Sequence, residues 1–344
     1  MTGQKTYWHL LDRGRKPTEY DVVTSNLLYY LDRGFEVNTP LTGWYDRYQK
    51  GSRLVCSQWD DFRDPRETTY TGYTRLQKDK EIYVDGLLAA IDSSGYDRDL
   101  DPSWREFLAR VMGPLRYPVH GLQMIAAYIG SMAPSGRIAI AAMLQAADEL
   151  RRVQRLAYRM RQIQETHPGF ADDSKQVWQE HAMWQPLREL IERLLVTYDW
   201  GEALIALELA VKPVFDELFM KHLGALATSR GDQMLALIFD SLDDDCRWHR
   251  EWSDALIAHA VADAPGNRAV VAEWLQTWAG RALSAARPFG QAFEAMATTD
   301  PPVDRALRAS CQARWASLGI DVEIPSGAAS PSGTESTTPR EDPR

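Results

Sequence analysis

The sequence predicts an all-α fold, and three observations carry that reading. From Pro65 onward apolar residues recur at helical spacing almost throughout, no segment alternates as an amphipathic strand does, and Ser and Pro punctuate the periodic stretches where helices would start. With 344 residues, 44% of them hydrophobic, the chain also has ample material for a large core. Helices are expected over 65–92, 102–113, 114–132, 135–167, 174–198, 200–229, 231–262, 265–297 and 301–317. Pro134-Ser135 is the clearest start signal, and no repeat of solenoid length is visible.

Two flanking regions read differently. Residues 1–64 carry Pro17, Pro40, several Gly and many aromatics, among them Trp8, Tyr29, Tyr30, Trp44, Tyr48 and Trp59, with no sustained helical period. Rings in such a segment need a surface to lie on, either a partner or the chain's own helices, so an extended N-terminal arm is expected. Residues 325–344, rich in Ser, Thr, Pro and Gly, have the composition of a disordered tail. The helical domain between them is expected over 65–320.

Composition narrows the function. A formal net charge of −9 argues against nucleic acid as a partner, because phosphate binding needs a basic field. No apolar run reaches a membrane span, and the N-terminus lacks a signal-peptide pattern. The three cysteines, Cys56, Cys246 and Cys311, are widely separated, as a reducing cytoplasm permits, and form no zinc motif.

Three expected helices place a polar residue on an apolar face. Over 135–167, Ala142, Ala146, Val153, Leu156 and Met160 make an arc with Glu149 in its middle and Arg152 at its edge, while Arg151, Arg155 and Arg159 lie mostly away. A carboxylate in a buried stripe is costly unless paired or metal-bound; the plainer alternative is a surface Glu on a broad face. Over 231–262, Cys246 and His249 fall within the stripe Leu235, Phe239, Leu242 and Leu256, where a lone His is more often a satisfied core residue than a ligand. Over 200–229, Lys212 shares a face with Ile205, Leu209, Phe215 and Phe219, and its stem could follow the core edge while its head reaches water.

These residues carry a resemblance. Asp148-Glu149-Leu150-Arg151-Arg152 resembles the Asp-Glu-x-Arg-His box of the catalytic α subunit of bacterial multicomponent diiron monooxygenases, and Asp245-Cys246-Arg247-Trp248-His249 resembles the second such box. Lys16–Asp21, Gly113–Tyr117, Tyr198–Ala203, Val211–Pro213 and Arg250–Ser253 resemble the β subunits of the toluene monooxygenase type. The chain is thus similar, over roughly 5–320, to the hydroxylase β subunit of the soluble diiron monooxygenases of the toluene, alkene and isoprene group.

The resemblance implies a ferritin-like, ribonucleotide-reductase-like bundle. In the diiron fold, two helices each give a Glu and two give a Glu-x-x-His. Here Val119, Arg152, Lys212 and Cys246 would stand at four of the six ligand positions and only Glu149 and His249 would keep ligand chemistry, so no metal and no catalytic residue is expected in this chain. Glu149 is expected to pair with Lys212, Arg152 or both. The implied assembly has two copies each of α, β and γ, with diiron in α. Electrons would come from NADH through a reductase with FAD and an iron–sulfur centre, by way of a Rieske ferredoxin, with a coupling protein. The reaction would hydroxylate or epoxidise an aromatic or alkene hydrocarbon. Two other classes stay open: a helical interaction protein unrelated to oxygenases, and a ferritin-like metalloenzyme with a nonstandard site.

Overall fold

The structure, a computed structural model, describes residue 10 and residues 15–25, 40–297 and 300–324. The expected tail at 325–344 and most of residues 1–39 lie outside the described residues. Everything described is helix or connection, with no strand among the described residues. The helices are α1 (Glu19–Thr24), α2 (Pro40–Tyr45), α3 (Tyr70–Ser94), α4 (Pro102–Met132), α5 (Gly136–Thr166), α6 (Ser174–Glu180), α7 (Gln185–Leu195), α8 (Trp200–Ile205), α9 (Lys212–Asp216), α10 (Leu223–Ser229), α11 (Gln233–Asp263), α12 (Asn267–Met296) and α13 (Val303–Ser317).

The longest packed pair is α4 and α5, antiparallel across the short turn at Ala133–Ser135, where the Ser135 hydroxyl accepts the Arg137 N–H and caps α5. The sequence divides α4 at Pro114, but the structure runs one helix through Pro114 and Pro118. Pro114 has no N–H to give the carbonyl one turn back, on Arg110. The indole Nε1–H of the buried Trp184 donates to that carbonyl instead, at 3.0 Å. Close approach helps seat the neighbouring helix: a Cβ on Gly121 of α4 would lie 2.4 Å from Ile191 Cγ2 of α7.

The same device recurs between Trp200 and Ser229. This stretch is helical throughout, but two wide π-helical segments, Ala206–Val211 and Glu217–His222, flank α9. Pro213 has no N–H to give to this stretch, and side chains of α13 serve its carbonyls: Trp315 Nε1 donates to that of Leu209 at 2.8 Å. Arg314 donates to the adjoining Glu208 carbonyl at 2.7 Å. The expected helix 174–198 is instead two, α6 and α7, with Pro186 in the first turn of the second. Expected 65–92 begins at Tyr70, where the Thr69 hydroxyl accepts the Gly72 N–H.

The described part of the first 64 residues includes two short helices, and it lies on the chain's own bundle. Trp44 Nε1 donates to Tyr128, and Gln49 donates to the carbonyls that end α4 at Met132 and Ala133. Farther on, Ser52 meets Asp199, Val55 pairs with Asn267, and Ser57 meets Asp263. Arg137, buried at the start of α5, donates to the carbonyls of Asp60 and Phe62 and reaches Asp21 and Thr24 of α1.

Candidate functional site

At the centre of the bundle α5, α9 and α11 bring five of the singled-out residues together. Glu149 and Arg152 come from α5, Lys212 from α9, and Cys246 and His249 from α11, all essentially without solvent exposure. Lys212 Nζ donates to Glu149 Oε1 at 2.7 Å. Arg152 Nη1 is 3.1 Å from Glu149 Oε2, close enough to pair charges but not aligned as a hydrogen bond. Glu149 thus pairs with both cations, and the head of Lys212 does not reach water. Val119, on α4, is buried in the apolar core and brings no polar group.

A residue absent from the sequence reading completes the group. Asp216, also buried, lies 3.1 Å from Lys212 Nζ and accepts from Arg152 Nη1 at 3.2 Å. Two carboxylates and two cations therefore close on each other. Burial pushes the Asp216 carboxyl up, but Lys212 and Arg152 outweigh it and hold it below the usual range. Burial likewise acts against charge on Lys212, and Asp216 and Glu149 reverse it, so the ammonium stays protonated. The signal for Asp216 was present: it stands four residues after Lys212, on the same helical face.

The other two members are neutral. Burial, reinforced by Lys212 and Arg152, holds His249 well below its ordinary pKa. Its Nε2 is 3.0 Å from Asp148 Oδ2, and its Nδ1 lies 4.0 Å from Glu149 Oε1 with no hydrogen-bond partner. Burial raises the Cys246 thiol far above its usual range, and Arg152 Nη2 sits 2.6 Å from its sulfur.

Around this core runs a wider polar layer. Asp148 accepts from Tyr73 and Gln77 of α3, both at 2.7 Å, and burial together with Asp245 raises its carboxyl. Asp245 takes Lys80 at 2.7 Å and Arg151 at 2.6 Å. On the opposite side Gln145 donates to Glu208 at 2.6 Å and accepts from Trp252 at 2.9 Å. Arg151, Arg155 and Arg159, set apart from the apolar arc in sequence, are buried too: Arg155 pairs with Glu81 and Asp85 of α3, and Arg159 with Asp97 at 2.7 Å.

This donor set does not fit a dinuclear iron centre. Glu149 and His249 are the carboxylate and imidazole at the implied ligand positions, and both cations press on the same Glu149 carboxylate that a metal would use. Among the described residues no group of three or more His, Cys, Asp or Glu is arranged to hold a metal ion.

A helical bundle with this charged interior agrees with the class that the resemblance implies. The chain belongs to the methane/phenol/alkene hydroxylase family, whose model matches residues 44–264. Within it, the chain is 36% identical over 292 residues to the β subunit of the toluene-4-monooxygenase hydroxylase component of Ectopseudomonas mendocina, covering 83% of this chain and 89% of that one. It is 25% identical to the small subunit of the propane 2-monooxygenase hydroxylase component of Rhodococcus jostii strain RHA1, over 82% of this chain and 79% of that one. A chain in the solved structure of toluene 4-monooxygenase with toluene in its resting active site superposes with a TM-score of 0.80 at 35% identity, covering 84% of this chain and 97% of that one. A chain of phenol hydroxylase from Pseudomonas sp. OX1 shares the fold with a TM-score of 0.80 at 21% identity, over 92% of this chain and 95% of that one. The all-α, ferritin-like reading and the family reading both hold, and the homology favours them over an unrelated interaction protein.

Proposed function

We propose that this chain is the non-catalytic β subunit of the hydroxylase component of an NADH-dependent multicomponent monooxygenase acting on an aromatic or alkene hydrocarbon. The observation that carries the reading is the closed group that Glu149, Lys212 and Arg152, at the former ligand positions, form with Asp216 in a fold shared with hydroxylase β subunits. Two fixed cations supply the positive charge that buried carboxylates need, so the bundle keeps its interior without iron. Val119, Arg152, Lys212 and Cys246 are vestigial positions, as are Glu149 and His249, which have been turned from ligation to structure.

On this reading the chain supports an α subunit that holds the diiron centre, within a complex that also contains γ. A Rieske ferredoxin, a reductase and a coupling protein act on the complex in the cytoplasm. Two measurements test it. Coexpressed with the large subunit of its hydroxylase, the chain copurifies with that subunit, and both bound iron and hydrocarbon oxidation disappear when the large subunit is left out. Stoichiometric iron retained by this polypeptide alone overturns the reading.

A further inference from the structure

Between Tyr117 and Met160 the helical hairpin α4–α5 keeps every charged residue inside. From Tyr117 to Met132 there is no Asp, Glu, Lys or Arg at all. From there to Met160 the charged residues are Arg137, Asp148, Glu149, Arg151, Arg152, Arg155 and Arg159, and every one is buried. What faces outward is uncharged: beside His120, Ser131 and Gln154, Met124 is 40% exposed, Met143 42%, Leu150 47% and Tyr158 50%. On α5 the outward residues Ile140, Met143, Ala147, Leu150 and Gln154 follow one another in steps of three and four, the seam spacing of packed helices. In a chain of which 25% is charged, an uncharged face this long is not a solvated one.

We infer that this α4–α5 face is where the large subunit of the hydroxylase docks, through apolar helices of its own; the inference rests on the function proposed above. Charge depletion with exposed Met, Leu and Tyr is the composition of an interface core, and permanent partners use the most apolar ones. Size agrees. Ile140 to Tyr158 spans about 27 Å at the helical rise, and two helices side by side are about 20 Å wide. The face is therefore about 500 Å² in projection, a large part of the roughly 800 Å² that one side of a standard interface buries. The chain's own geometry points to the same edge. Segment 15–25 reaches the start of α5 through Arg137, and segment 40–50 reaches the end of α4 through Gln49. Both described segments therefore lie at the loop end of the hairpin.

The occupant is identified directly by replacing Leu150 with the photoreactive p-benzoylphenylalanine in the chain coexpressed with its large subunit, then sequencing the cross-linked product. The expected product joins position 150 to the large subunit. A cross-link to a second copy of this chain, to its own residues 26–39, or to nothing in a complex that has formed overturns the docking face and leaves the proposed function standing. Failure of any complex to form removes that function instead. Oxidative footprinting of the unaltered complex is the second measure and needs no variant. Met124 and Met143 should oxidise at least roughly tenfold more slowly in the folded complex than after dissociation in urea, as expected of a desolvated interface core. Unhindered oxidation of both in the intact complex overturns the inference.

Discussion

Helices α5 and α7 are built from similar residue types, but they place their charges differently. In α7, Leu187, Leu190, Ile191 and Leu194 point inward, while Arg188 pairs with Glu192 and Arg193 with Glu189 on the surface. In α5 the charged residues from Arg137 to Arg159 point inward beside Ile138, Leu156 and Met160, and Met143, Leu150 and Tyr158 point outward. An amphipathic period states only that two faces differ. Which face meets water is decided by the neighbours: α7 lies on an apolar wall, whereas α5 lies between α3, which supplies Glu81, Asp85, Tyr73 and Gln77, and the cations and acids of α9 and α11.

The sharpest way to break this contrast is to remove charge from the inside of α5. Glu149→Ala leaves Lys212 and Arg152 with Asp216 alone, and the loss should be about 3–5 kcal/mol, read as a fall in the thermal midpoint of the assembled protein. Glu149→Met combined with Lys212→Met keeps Arg152 and Asp216 paired at 3.2 Å. The double change should cost less than the sum of the single ones by more than about 1 kcal/mol. Strict additivity would show that the group is not a coupled unit.

Glu208 offers a pH-dependent test. Burial raises its carboxyl to about 7 against 4.5 for the free group, although Lys212 and Gln145 pull the other way. The folded chain keeps this proton through a range in which the unfolded chain loses it, so the contribution of Glu208 to stability falls as pH rises from about 4.5 to 7. Glu208→Gln removes that titration while its amide oxygen can still accept from Gln145. The variant should match the parent near pH 5 and exceed it by about 1–3 kcal/mol near pH 8. An equal offset at both pH values would mean that Glu208 is ionised in the fold throughout. The smallest effect belongs to α7: Arg193→Ala, which breaks an exposed pair with Glu189, should change stability by less than about 0.5 kcal/mol.

How much of this was legible follows from what a sequence encodes locally. Helix α5 was visible from its period, and Glu149 stood out because a carboxylate in an apolar arc violates that period. Asp216 was legible as well, four residues after Lys212 on one helical face, but its reach to Arg152 of α5 needed the fold. Asp148 and Glu208 carried no local signal, since their partners come from α3, from another part of α5 and from α11. The continuity of α4 through Pro114 was illegible for the same reason: the group that satisfies Arg110 is an indole seventy-odd residues away. The charge placement of α5 could have been suspected from the uncharged run after Tyr117, but its direction needed neighbours that only the fold supplies.

The wide turns on either side of α9 have a consequence for the length of the chain. A π segment holds more residues per turn than an α-helix, so it stores a residue that the helix could shed without breaking. Deleting one residue within Glu217–His222 would let that turn tighten to α pitch while α10 and everything after it kept their present faces. Deleting one within Ala206–Val211 would likewise leave Lys212 and Asp216 directed at Glu149. The same deletion in the regular helix α9 would instead turn everything after it by about 100° about the helix axis. The wide turns are therefore where this stretch can lose a residue, and α9 between them is where it cannot.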